Sequence, residues 1–128
     1  MPQWHDGLGK RKVTGGKRKS YRSKRRFESG SYATETKLGE PQNSVAIGRG
    51  GSTKLRLSRD KFANVTSSDG KKTERVEVER VVRNPVNVDF DRRRVITRGA
   101  IIGTHLGEAV VTSRPGQDGI VNALLLRT

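Results

Sequence analysis

Cysteine is absent from the 128 residues. That excludes a disulfide scaffold, a Cys nucleophile and every thiolate metal site, and it fits a reducing compartment. Histidine is nearly absent: His5 and His105 stand far apart in the chain. No His-rich metal centre and no paired-His catalytic centre is expected from them. No stretch approaches the roughly 18 apolar residues of a membrane-spanning helix. No apolar run follows the first basic residues, so no secretory leader is expected. Acids are scarce as well, with 13 Asp+Glu against 27 Lys+Arg and a formal net charge of +14. Hydrophobic residues make up 30% and aromatics 5%. Such a chain can bury a modest core, but not along its whole length. Its length fits a single domain.

The cations are unevenly placed. Residues 1–37 hold 11 Lys/Arg and 3 acids, whereas residues 38–128 hold 16 and 10. Between Lys10 and Arg26, ten of seventeen residues are basic and none is acidic. Val13 is the only Val or Ile before residue 38. So charged and so poorly apolar a segment cannot offset its own ordering entropy. Residues 1–37 therefore read as an arm that stays disordered until a polyanion neutralises it, and residues 38–128 as a folded body.

The body reads as β structure. Residues 54–59 put Leu55 and Leu57 on one face and basic side chains on the other. Residues 74–82 put Val76 and Val78 opposite Glu77 and Glu79, and the phase slips at Arg80 before Val81-Val82. The slip predicts a bulge or a strand changing faces. Residues 86–91 alternate Val86, Val88 and Phe90 with Asn87, Asp89 and Asp91. All three are period-2 patterns of half-buried strands. Shorter apolar runs follow at Val95-Ile96, Ala100-Ile101-Ile102, Ala109-Val110-Val111 and Ile120 to Leu126. Turn signals separate them: Gly50-Gly51, Asp69-Gly70, Asn84-Pro85, Arg98-Gly99, Pro115-Gly116 and Asp118-Gly119. Short strands with turns this dense predict a small barrel or a sandwich, and closure would remove sticky edges. Ala123 to Arg127 alone could compete as a helix, and it is too short to stand by itself.

Catalytic motifs do not emerge. Gly15-Gly16-Lys17 lacks the first glycine of a phosphate loop, and Arg18 stands where Ser/Thr would hold magnesium. It reads as a hinge in the arm. Gly48-Arg49-Gly50-Gly51 lacks the dinucleotide pattern and reads as a tight turn whose amides and Arg49 can face a phosphate. Asn64-Val65-Thr66 matches a glycosylation sequon by chance, with no secretory route expected. The pairs Glu77/Glu79 and Asp89/Asp91 could in principle serve acid/base chemistry, but their pattern places them on a solvated strand face. His105 falls in a turn beside Thr104 and Gly107 and completes no triad. No catalytic residue, metal, cofactor, small-molecule substrate or membrane partner is expected.

What remains points to phosphate. The basic residues Lys10, Arg11, Lys12, Lys17, Arg18, Lys19, Arg22, Lys24, Arg25 and Arg26 form the electrostatic footprint of a nucleic-acid binder. Aromatics interleave with them: Trp4, Tyr21, Phe27 and Tyr32. Trp4 and Tyr21 suit stacking on unpaired bases, a mode favoured by RNA. A solubility tail or localisation signal is the plainer alternative. In the body, Lys54, Arg56 and Arg59 read as a basic face, and Arg92-Arg93-Arg94 as a basic turn. Each could be a mere solvated face; with the arm they make a continuous binding surface. An architectural DNA-binding protein would carry the same charge, though it would more often show a helix or ribbon for a groove.

Several stretches resemble one family. They are Thr14-Gly-Gly-Lys-Arg-Lys, Lys24-Arg-Arg-Phe-Glu-Ser-Gly, Glu35-Thr-Lys-Leu-Gly and Val45-Ala-Ile-Gly-Arg-Gly-Gly-Ser-Thr-Lys-Leu-Arg. Further on come Asn84-Pro-Val-Asn-Val-Asp-Phe, Ile96-Thr-Arg-Gly-Ala-Ile-Ile and Val111-Thr-Ser-Arg-Pro-Gly-Gln-Asp-Gly. In this order they resemble the S-eight-e family of archaeal and eukaryotic small-subunit ribosomal proteins, in its short archaeal form. Gly51-Ser52 departs from the family's usual Gly-Asn, and Asn64 to Lys72 has no anchor in it. The resemblance implies an all-β protein: a small closed barrel with a long basic N-terminal arm. It implies a non-catalytic structural component of the small subunit in the cytoplasm, bound to 16S-type ribosomal RNA among other ribosomal proteins.

Overall fold

The computed structural model describes residues 3–4, 7–70 and 72–126. His5 and Arg127, both weighed above, lie outside the described residues. The chain divides into two compact units, Met1–Ala33 and Thr34–Thr128. In the first, strand β1 (Gln3–Trp4) pairs antiparallel with β2 (Ser29–Gly30). Single 3-10 turns occupy Gly7–Gly9 and Arg26–Glu28. None of this unit's described residues is buried, as expected of a segment with so few apolar side chains.

The second unit carries strands β3 (Lys37–Leu38), β4 (Gln42–Ile47), β5 (Thr53–Asp60), β6 (Phe62–Thr66) and β7 (Thr73–Arg83). Strands β8 (Ile101–Thr104), β9 (Gly107–Val111) and β10 (Asn122–Leu125) complete it. Two short helices interrupt them, α1 (Val88–Arg92) and α2 (Pro115–Asp118). Five strands close a barrel in the order β10-β6-β7-β8-β9. All its pairings are antiparallel except β10 with β6, where Asn122 faces Asn64. Closure leaves the barrel no open edge. A second sheet, β3-β5-β4, joins a parallel pair to an antiparallel one.

The barrel is filled by small apolar side chains, as its narrow bore requires. Ala63, Val65, Val76, Val78, Val81, Ile102, Ala109, Val111 and Ala123 are buried, and Leu57 of β5 joins the same cluster. The valine phase slip in β7 is a bulge: pairing with β8 jumps between Val78 and Arg80, so Val76, Val78 and Val81 all face inward. The runs around Ile102, Val111 and Ala123 are strands β8, β9 and β10. Thr36 is also buried, bridging to Ile96, with its Oγ1 donating to the Leu57 carbonyl at 2.7 Å.

Two strand expectations need correction. Residues 86–91 do not form a strand. They are a turn followed by α1, because Asn87 caps the helix by accepting the Asp89 N–H at 2.9 Å. Asp89 and Asp91 then favour the positive end of the first turn. Val86 and Val88 are exposed rather than inward. Asn84 anchors this turn: its side chain donates to the Val95 carbonyl at 2.8 Å and to Thr97 Oγ1 at 2.9 Å. In β5, Leu57 is buried at 1% exposure, but Leu55 is 50% exposed. The two share a face by alternation. Leu57 reaches the core, whereas Leu55 lies against α2, where a Cβ on Gly119 would come within 2.7 Å of it. That contact, together with a φ of +75° at Gly119, requires glycine there.

Candidate nucleic-acid interface

The N-terminal unit displays its cations on a small hairpin. Arg11 and Lys17 bridge antiparallel, and the turn closes through Gly15 N–H to the Lys12 carbonyl at 2.9 Å. Gly15 takes a φ of +80°, which favours glycine. Every residue from Gly9 to Tyr21 is exposed. Lys10, Arg11, Lys12, Lys17, Arg18 and Lys19 thus stand in solvent on one tight turn. Lys12, Lys17, Arg18 and Lys19 take part in no side-chain hydrogen bond or ion pair among the described residues.

Arg22 behaves differently. Its guanidinium ion-pairs with both carboxylate oxygens of Glu28, through Nη1 at 3.0 Å to Oε2 and through Nη2 to Oε1. Its Nε donates to Tyr21 Oη at 2.9 Å. Glu28 also accepts the Arg25 N–H at 2.9 Å, capping the 3-10 turn. The hydrogen bonds from Arg22, then that from Arg25, hold the Glu28 carboxyl below the usual range; the same bond to Glu28 raises Arg22. Arg22 therefore orients its neighbours. Its charge centre sits 5.0 Å from the Tyr21 ring and 5.9 Å from that of Phe27. Lys24 Nζ lies 5.4 Å from the Trp4 ring. Arg25 and Arg26 are exposed at the turn's start. Sequence reasoning passed over Glu28. Its signal was that it is the lone acid between Gly7 and Thr34.

In the second unit, Arg49 is exposed at the tip of the β4–β5 turn, where Gly50 and Gly51 take positive φ. Lys54 is exposed and donates to Gln117 Oε1 at 3.1 Å. Arg56 is half-buried and Arg59 exposed. Lys54 and Arg56 alternate with Leu55 and Leu57, but the β4–β5 register shifts before Arg59, which therefore falls outside the simple alternation. The Arg92-Arg93-Arg94 turn is tied into the fold. Arg93 pairs with Glu35 at 2.6 Å and Asp89 at 3.0 Å, Arg92 pairs with Asp89, and Arg94 donates to the Val81 carbonyl. The carboxylate pairs divide. Glu77 and Glu79 are exposed on β7, whereas Asp89 and Asp91 belong to α1, where Asp91 accepts the Asn84 N–H at 3.1 Å. His105 is exposed in the β8–β9 turn. Among the described residues, no three His, Asp or Glu side chains gather around a metal position. No described helix is long and apolar enough to cross a membrane.

A family model described as Ribosomal protein S8e matches residues 5–126. The chain belongs to this family. Among its relatives, the "Small ribosomal subunit protein eS8" of Methanoregula boonei is 47% identical over 116 residues, covering 91% of this chain and 93% of the relative. The protein of that name from Sulfolobus acidocaldarius is 44% identical over 128 residues, covering 97% and 98%. That from Methanosarcina barkeri is 44% identical over 120 residues, covering 94% and 96%. Within this S8e chain, the Ser52 hydroxyl bonds back to the Arg49 carbonyl at 3.0 Å, bracing the turn that carries Arg49. The S8e cations fall into two kinds. Those of the N-terminal hairpin are exposed and make no ion pair among the described residues, Arg11 donating only to the Gly15 carbonyl of its own turn, whereas Arg22, Arg93 and Arg94 are committed to partners elsewhere in the fold.

Proposed function

We propose that this S8e protein is a non-catalytic structural constituent of the small ribosomal subunit in the cytoplasm. In this reading residues 1–37 are an arm that binds 16S-type ribosomal RNA and is ordered by it as far as Ala33, its last residues, Thr34 to Lys37, being held by the second unit. The conformation described for residues 7–33 is then the one RNA holds. Lys10, Arg11, Lys12, Lys17, Arg18, Lys19, Lys24, Arg25 and Arg26 meet phosphates. Arg22 orders the segment from within, and Trp4 and Tyr21 meet bases. Arg49, Lys54, Arg56 and Arg59 are the RNA contacts of the second unit, and other small-subunit proteins complete the surroundings.

The observation that carries this reading is the cluster of exposed cations around Gly15, none of them in an ion pair among the described residues, in a segment with no acid from Lys10 to Arg26. Like charges so crowded repel one another until a polyanion neutralises them. The experiment is to follow the tagged full-length protein through a gradient of cell extract. Co-sedimentation with small subunits that survives DNase treatment supports the proposal. Co-purification with DNA, lost on DNase treatment, overturns it in favour of an architectural DNA-binding protein.

A further inference from the structure

The N-terminal unit holds a cavity of about 860 Å³, within the roughly 300–1,000 Å³ range of ligand pockets. Its wall brings together two rings, Trp4 and Tyr21, and four cations without side-chain partners, Lys12, Lys17, Arg18 and Lys19. We propose that this cavity is a pocket for a single unstacked nucleotide of RNA, whose base stacks on Trp4 or Tyr21 while its flanking phosphates meet the four cations. The inference rests on the RNA-binding reading above and names the ligand of that surface.

Three features support it. In the ordered arm each ring has a neighbour that places it. Trp4 pairs with Ser29 through β1 and β2, and Tyr21 is tethered through Arg22 to Glu28. Base–aromatic stacking tolerates any base because each has a π face. The cations line the same cavity as the rings. The Arg18 guanidinium crosses so close to Gly7 that a Cβ there would lie 3.2 Å from Nη1, so glycine lets it lie along the wall. Finally, Glu28, the one acid among the described residues of the wall, is balanced by its pairing with Arg22. A paired duplex offers phosphates to such a wall but no base face to its rings. A base must leave the stack to enter.

The chain has one Trp, so its emission reports on this pocket alone. The test titrates full-length protein with an RNA hairpin carrying one bulged nucleotide, with the same hairpin fully paired, and with adenosine monophosphate. The bulged hairpin is expected to quench Trp4 emission saturably, and the paired hairpin to bind without quenching. Tyr21→Ala is expected to weaken the bulged hairpin by about fivefold to a hundredfold and leave the paired one unchanged. Equal quenching by both hairpins, or equal loss for both in Tyr21→Ala, overturns the pocket while leaving RNA binding intact. Quenching by adenosine monophosphate at concentrations comparable to the bulged RNA overturns the claim that the nucleotide belongs to RNA. Binding of neither hairpin overturns the RNA-binding reading itself.

Discussion

Replacing Lys10, Arg11, Lys12, Lys17, Arg18, Lys19, Lys24, Arg25 and Arg26 by Gln removes the cations assigned to phosphate. It spares Arg22, which is committed to Glu28. Each neutralised phosphate contributes about 0.9 to the slope of log affinity against log salt on a B-form duplex, and about 0.7 on a single strand. Nine contacts set ceilings of about 8 and 6. Side chains on a tight turn cannot all face one ligand, so about half of the nine should reach phosphate at once. The expected loss of slope is then about 4. Over a fourfold rise in salt, a slope of that size weakens the parent about 250-fold more than the variant. The assay is filter binding of both proteins to small-subunit RNA across a salt series. Parallel lines for the two proteins would refute the assignment of these residues to phosphate, whatever their absolute affinities.

Other expectations concern the second unit. Leu57→Asp should abolish cooperative unfolding by circular dichroism, because it buries an unpartnered charge at a position 1% exposed. Leu55→Asp, at a position 50% exposed, should stay folded at a cost of about 1 kcal/mol; equal loss in both would overturn the two-tier reading of β5. Asn84→Ala removes bonds to Val95 and Thr97 and should lower stability by about 2–4 kcal/mol, read as a shift in the urea midpoint at unchanged m. The Asp89 carboxyl is held below its ordinary value by hydrogen bonding from Arg92 and the charge of Arg93. Its contribution is therefore complete above the unfolded value of about 3.9 and fades as pH falls through the lowered folded value. NMR titration should show Asp89 returning to the ordinary range when Arg92 and Arg93 become Gln, and an unmoved midpoint would contradict the assignment.

The sequence disclosed the β character of the second unit through residues whose local pattern and final burial agree. Val76, Val78 and Val81, with the slip at Arg80, announced both the strand and its bulge. The same alternation misled at 86–91, because a capped turn of helix also tolerates every second residue being apolar, and only the Asn87 cap decides. Strands β4 and β6 gave little signal. The apolar residues Val45 and Ile47 of β4 are exposed, and β6 hides only Ala63 and Val65 among the half-buried Phe62, Asn64 and Thr66. The parallel pairing of β10 with β6 joins segments nearly sixty residues apart, which no local pattern encodes. Among the candidate interface residues, the charge density around Gly15 was plain in the sequence. The pairing of Arg22 with Glu28, and of Arg93 with Glu35 and Asp89, depends on folded geometry and separates structural from exposed cations only once the chain is folded.

The most direct test of the central claim is ultraviolet crosslinking of intact small subunits, with the crosslinked peptides of this protein identified by mass spectrometry. The account predicts RNA crosslinks at Tyr21 or Trp4 and within Lys10–Arg26. Subunits that contain the protein but yield crosslinks only beyond Thr34 would contradict it.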